Sequence, residues 1–346
     1  MLGLPLHALD PLRQSNHFQV DQWNTTHGIP YTAIRLAYQD STGFLWIGTR
    51  GGLARFDGQS FTTFGKATDP AFIDDEIHAV CEDHNAVLWV GTARGILWLN
   101  NGRFESPPQL ATFRSERIRW IQRDGEIMLF ATNDSLWEFD GTTVAPVHLP
   151  PEVSFETFTT AQRFGDDGWI IGANPSWVIP GEHAELLRTP AGGLVQDMWT
   201  LLPHSENGWW CGTESGLYTI QDGKMKRVPS IGGIAVPSVR SMLEDHDGNL
   251  WIGTRGDLIR VVGGQSSIVE QTGNDSLLNF LCLVEDNEGN IWGGNDAGLI
   301  RLGHVKASNI TYADGRWYPS SKPRTEIFGP VCGAVDLCSL RPTAKF

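Results

Sequence analysis

The side chains best suited to chemistry in this sequence are arginines, and they recur at fixed places. Arg50, Arg94 and Arg255 each lie in the loop that follows an apolar Leu-Trp segment, Arg94 one place later than the other two, and the corresponding loops of the sister segments carry Asn133, Asn174, Glu214 and Asp296. A guanidinium presents a planar fork of donors that matches a carboxylate or phosphate. Three such forks in a chain of formal net charge −14 point to recognition of an acidic small molecule or glycan. The competing reading makes them solvated turn residues or partners of nearby acids, which contributes little at a surface. A second recurring set is Arg35, His78, Arg119, Thr159, Trp199, Arg240 and Leu281, the second residue of each predicted leading strand. Its three arginines make a second candidate ligand ring, with packing between sheets and salt bridges as the alternative.

Other chemistries find less support. Glu82-Asp83, Glu244-Asp245-His246-Asp247 and Glu285-Asp286 group carboxylates, but the 12-residue calcium loop pattern is missing. They read as turn-forming aspartates on the opposite face. His17, His27, His148, His183, His204 and His304 are scattered without zinc-site spacing. There is no nucleophile elbow, no P-loop and no Gly-x-Gly-x-x-Gly opening a helix. No histidine is evident beside an acid at repeat-equivalent positions. The expectation is a non-catalytic binding protein without metal or cofactor. Missing motifs alone do not exclude an enzyme, because a site can be assembled from distant loops.

The elements that hold these residues follow from internal repetition. Phe44-Leu-Trp-Ile-Gly-Thr-Arg-Gly-Gly-Leu53 recurs from Val87, Gly208, Asn249 and Asn290, and more weakly from Ile127 and Gly168. The central residues are Trp46, Trp89, Leu129, Ile170, Trp210, Trp251 and Trp292, at spacings of 43, 40, 41, 40, 41 and 41. Each unit reads as four short strands: in the first, 34–38, 44–49, 53–56 and 60–64. Asp40 to Gly43 is a turn, and Asp57-Gly58 is a strong hairpin signal. A period near 40 with four strands per unit defines a β-propeller blade. The predicted fold is therefore all-β, a seven-bladed propeller of four-stranded antiparallel blades over residues 18–312. In such a ring the strand 2–3 loops and the connections between blades share one end, the expected ligand mouth.

Blades stack face to face, so their middle strands read as apolar runs. The tryptophans fill the widening wedge between blades. Gly48, Gly91, Gly212 and Gly253 follow two residues later, where a side chain would crowd the next blade. Phe18-Gln-Val-Asp-Gln-Trp23 has the character of an outer strand and is predicted to complete blade 7, with the stretch 303–311 competing for that role or lying beside it. An unpaired edge is a hazard that ring closure removes.

Gly43 to Gly58, read as Gly-x-Leu-Trp-Ile-Gly-Thr-x-x-Gly-Leu-x-Arg-Phe-Asp-Gly, resembles the repeat of the two-component regulator propeller family. Units 2, 5, 6 and 7 share most of it, and His27-Gly-Ile-Pro30 is similar to that family's lead-in. The resemblance covers residues 18–310, and units 3 and 4 depart from it by losing the Trp-Ile-Gly-Thr core. It implies an extracytoplasmic sensor region of a bacterial receptor, periplasmic or otherwise outside the cytoplasm. It also implies a second propeller or signalling module as partner, a kinase or cyclase in relatives, with no transmitter in this stretch. Gly289-Asn-Ile-Trp292 is similar to an element of the streptogramin lyases, so a propeller lyase is an alternative. A protein-interaction scaffold is another.

Composition excludes several other classes, and small molecules or oligosaccharides are left as the expected ligands of the mouth. The 346 residues include 39 Gly and 14 Trp, with 40% hydrophobic and 19% charged residues. That supports a large core and argues against disorder. The acidic balance disfavours nucleic acid and anionic membranes, and no apolar run is long enough to span a bilayer. Residues 1–17 read as a flexible tail or the remnant of a signal peptide. Residues 313–346 read as a coil tail or a truncated continuation. Cys81, Cys211 and Cys282 lie in apolar runs as buried thiols, while Cys332 and Cys338 are either free or bridged in an oxidising compartment.

Overall fold

The computed structural model describes residues 18–164, 168–204, 208–271 and 279–304. Seven four-stranded antiparallel sheets account for nearly all of it, beside a small hairpin between blades 5 and 6. We call the sheets blades 1 to 7 and their strands a to d from the axis outwards. Blade 1 comprises Leu36–Gln39, Leu45–Thr49, Gly52–Phe56 and Phe61–Phe64. The a strands of blades 2 to 7 are Ile77–Glu82, Trp120–Asp124, Phe158–Phe164, Met198–His204, Ser241–Glu244 and Phe280–Glu285. Neighbouring a strands pack around the whole ring, blade 7 against blade 1 included. The tail after residue 304 and both C-terminal cysteines lie outside the described residues.

The ring closes as expected. Phe18–Trp23 is the d strand of blade 7, antiparallel to Gly298–His304, in a register running from Phe18↔His304 to Trp23↔Leu299. Arg301 donates to Asp21 at 2.6 Å, and Trp23 stacks on Trp292 with centroids 5.2 Å apart. The first and last described strands are thus joined in one sheet.

Cores form between blades rather than within them. Leu36, Tyr38, Trp46 and Leu53 of blade 1 pack on Ile77, Val80, Val90 and Leu97 of blade 2. Trp292 of blade 7 packs in the same way on Ile34, Ile47 and Phe56 of blade 1. The Gly91 position shows why no side chain fits there. A Cβ would lie 2.8 Å from Ile118 in the lead-in to blade 3, closer than real contacts.

Four of the five repeat tryptophans also have a polar anchor six residues earlier. The indole Nε1 of Trp46 donates to Asp40 at 2.7 Å, Trp89 to Asp83 at 3.2 Å, Trp251 to Asp245 at 2.8 Å and Trp292 to Asp286 at 2.7 Å. The other carboxylate oxygen of Asp40 accepts the turn N–H groups of Thr42 and Phe44. The aspartates are turn formers, as read from sequence, and they satisfy the buried indole as well. In blade 5 the residue six before Trp210 is His204, packed edge-on at 4.4 Å. Without the aspartate anchor, Trp210 is only half-buried, less than the wedge role predicts.

A second device links successive blades. The N–H of Ser41, just after Asp40, donates to Glu82 of blade 2 at 2.7 Å. Likewise His246 N–H donates to Glu285 of blade 7 at 2.8 Å, and Asn287 N–H to Gln39 of blade 1 at 2.7 Å. The last residue of one a strand therefore clamps the turn of the blade before it.

Candidate functional site

One local distortion, repeated in every blade, builds the axial ring. In blades 2, 4, 5 and 7 the a–b register skips His78, Thr159, Trp199 and Leu281. In blades 1, 3 and 6 the N–H groups of Arg35, Arg119 and Arg240 bond to the carbonyls of Gly48, Ala131 and Gly253, residues already paired with Leu36, Trp120 and Ser241. Two residues oppose one, which is a β-bulge and re-aims a side chain. Burial shows the result. Each of the seven is half-buried or exposed between two buried neighbours. All seven sit where the a strands begin, at the same end as the b–c loops and the connections between blades.

Two carboxylates organise the arginines of this mouth. Glu76 lies 3.5 Å from Arg50 of blade 1 and 3.2 Å from Arg117 in the lead-in to blade 3, with His78 at 3.9 Å. Glu214 of the blade 5 loop lies 2.5 Å from Arg240 and 3.2 Å from Arg255. Arg240 also stacks over the Trp199 ring at 4.4 Å. Asp296 accepts from Asn279 at 2.7 Å and has no arginine partner. Arg94 stands exposed, with no ion pair among the described residues.

Two guanidiniums of the inner ring also make no ion pair with a carboxylate among the described residues. Arg119 donates through Nε to the neutral Asn133 at 2.7 Å. Arg35 makes no side-chain hydrogen bond or ion pair among the described residues. Burial and the charge of Arg50 both lower the pKa of Arg35, and burial and Arg117 lower that of Arg119. Between them stands His78, its side chain 9% exposed. Burial, and then repulsion from Arg117, Arg119 and Arg35, outweigh Glu76 and lower its pKa to about 4. The imidazole is neutral at pH 7 and adds donor or acceptor capacity without charge. Blades 1 to 3 thus present a concave basic arc, and each of its cations would gain from an added anion.

The sequence-predicted residues therefore meet at one end, in two layers: Arg35, His78, Arg119 and Arg240 inside, and Arg50, Arg94, Asn133, Glu214, Arg255 and Asp296 in the loops. Sequence reasoning missed Glu76, Arg117 and Asn279. All three lie two residues before a ring residue, so strand alternation would have marked them. It also missed that His78 sits beside an acid. His246 meets Glu285 similarly at the other end of the ring, a pairing across two blades. Among the described residues no cluster of His, Cys, Asp and Glu could hold a metal, and no helix is long and apolar enough to cross a membrane.

A closed ring of seven four-stranded antiparallel sheets defines the protein as a seven-bladed β-propeller. The two-component regulator propeller family matches at residues 28–51 and 233–256, the lead-ins and first strands of blades 1 and 6. Two of the chain's seven repeats are thus similar to that family's repeat. No curated protein matches it in sequence. Its fold is similar to the extracellular domain of the putative hybrid two component system BT3049 from B. thetaiotaomicron, with a TM-score of 0.69 at 19% identity, over 82% of this chain and 42% of that one. The extracellular domain of the putative one component system BT4673 from the same organism gives 0.64 at 22% identity, over 82% and 40%. This chain thus spans about two fifths of those structures. A streptogramin B lyase structure gives 0.60 at 12% identity, over 84% and 99%.

Proposed function

We propose that this chain is a non-catalytic sensor propeller of a bacterial two-component-type receptor, exposed outside the cytoplasm, and that its mouth binds a small anionic molecule or acidic oligosaccharide. The observation that carries this reading is the pair Arg35 and Arg119, two guanidiniums of the inner ring with no carboxylate in ion-pair contact among the described residues. Arg50 and Arg255, the sequence's first choices, are engaged with Glu76 and Glu214 and serve to shape the rim. Ligand bound at the arc would stiffen blades 1 to 3 against each other and bias whatever module follows.

The lyase reading needs a general base poised near neutral pH. His78, the mouth histidine beside an acid, is held near 4, which disfavours it. The test is thermal denaturation with citrate, glucuronate, inorganic phosphate and neutral glucose. An anion at 100 times its Kd stabilises by about 2.7 kcal/mol, a shift of several degrees. The Arg35→Ala, Arg119→Ala double variant should lose it. A panel without any shift, or a shift that persists in the double variant, rejects the mouth.

A further inference from the structure

The clamp between successive blades is missing between blades 2 and 3, and a cleft opens there. Where blades 1, 2 and 7 place Gln39, Glu82 and Glu285, blade 3 has Arg123, which offers no acceptor. The N–H of His84, the counterpart of Ser41, His246 and Asn287, accordingly donates to no protein group among the described residues. Arg123 donates to the Asp83 carbonyl, at 3.5 Å. The a–b turn of blade 3 is also shorter. Residues 124–127 separate the pair Arg123↔Met128, one fewer than the residues 83–87 that separate the equivalent Glu82↔Leu88 in blade 2.

What is left is a cleft of about 220 Å³, at the end of the ring opposite the mouth. Its apolar wall includes Trp98, Trp89 and Phe139, with Trp89 packed 5.8 Å from Trp98 and 5.5 Å from Phe139. The Trp98 indole is held by a 3.0 Å bond to Glu105, so the ring is pre-oriented. Asp83 and Glu126 bring carboxylates to the lining, and no Lys or Arg lines it. The Asp83 oxygens are occupied by the turn and by Trp89. Glu126 has no hydrogen bond or ion pair among the described residues. Aromatic faces beside a free carboxylate attract organic cations. The volume lies below the roughly 300 Å³ where pockets for drug-sized ligands begin, so it admits only a small head group.

We propose that the cleft between blades 2 and 3 binds a small alkylammonium or guanidinium group, its apolar part against Trp98 and Phe139 and its charge on Glu126. The group arrives either on a free amine or on a basic side chain of a partner protein. This site is independent of the anion-binding mouth.

The test follows the Trp98 indole N–H resonance of the full chain, assigned with Trp98→Phe. Tetramethylammonium, Nα-acetyl-lysine methylamide and the neutral isostere tert-butanol are titrated in turn. Saturable shifts with both cations, but not with tert-butanol, assign a general organic-cation site. A shift with the lysine derivative alone assigns a partner's basic side chain. In Glu126→Gln, a change at an exposed turn, binding should weaken about tenfold while the melting temperature stays put. Arg35→Ala with Arg119→Ala should leave the titration unchanged. The proposal is overturned if no probe gives a saturable shift, if tert-butanol acts equally, or if Glu126→Gln binds as well as the parent.

Discussion

At the scale of single residues, the aspartate six places before a blade tryptophan carries more than its size suggests. Asp245 is 4% exposed and accepts from Trp251, from the Asn249 backbone and side chain, and from the Asp247 backbone. Asp245→Ala strands a buried indole N–H and loosens the turn, so urea unfolding should show a loss of about 2–4 kcal/mol. His246 gives a pH signature. Burial opposes its protonation, but the bond to Glu285 and the charges of Glu285, Asp247 and Asp245 raise its pKa above 6.5. A raised folded-state pKa means stability that is fully present below 6.5 and lost as pH rises through the folded value. Burial raises the Glu285 pKa as well, which acts in the same direction over a more acidic range. The melting temperature should therefore fall from pH 6 towards alkaline pH, and His246→Gln should flatten the decline. A slope identical in the variant would refute this assignment.

At the scale of elements, the four-residue turns compare one conformation under different residues. Gly43, Gly248 and Gly289 occupy it at φ +93°, +77° and +77°, whereas blade 2 places Ala86 there at φ 60°. A left-handed non-glycine residue costs about 1–2 kcal/mol. Ala86→Gly relieves this strain but adds unfolded-state entropy of about 0.5–1 kcal/mol. The net should be a gain of up to about 1 kcal/mol, read as a higher denaturation midpoint at constant slope. The turns, hairpins and wedge tryptophans were legible because they are local and repeat seven times. The clamps of Glu82 on Ser41 and Gln39 on Asn287 were not, because they join positions 41 and 248 residues apart. The ring positions were legible as a list. What they do was not, since which arginine is neutralised depends on Glu76, in a connection that no motif marks, and on Glu214 reaching from blade 5 to two arginines of blade 6.

At the scale of the whole molecule, the closing strand decides whether the ring holds. Trp23 packs between Trp292 and Phe56, so it touches blades 7 and 1 together. Trp23→Ala should cost about 2–4 kcal/mol, and removal of residues 1–24 should lower the melting temperature by well over ten degrees. An unchanged melting curve after that deletion would show that closure does not depend on Phe18–Trp23.

The bulge that opens every blade separates two jobs that a sheet residue usually combines. Its buried flanks, such as Ile77 and Ala79 around His78, keep the strand in place, while the residue between them is spared from pairing. Seven such positions around one axis form an interchangeable set. Recognition can be rewritten there, one spoke at a time, with little disturbance to the wheel that carries it.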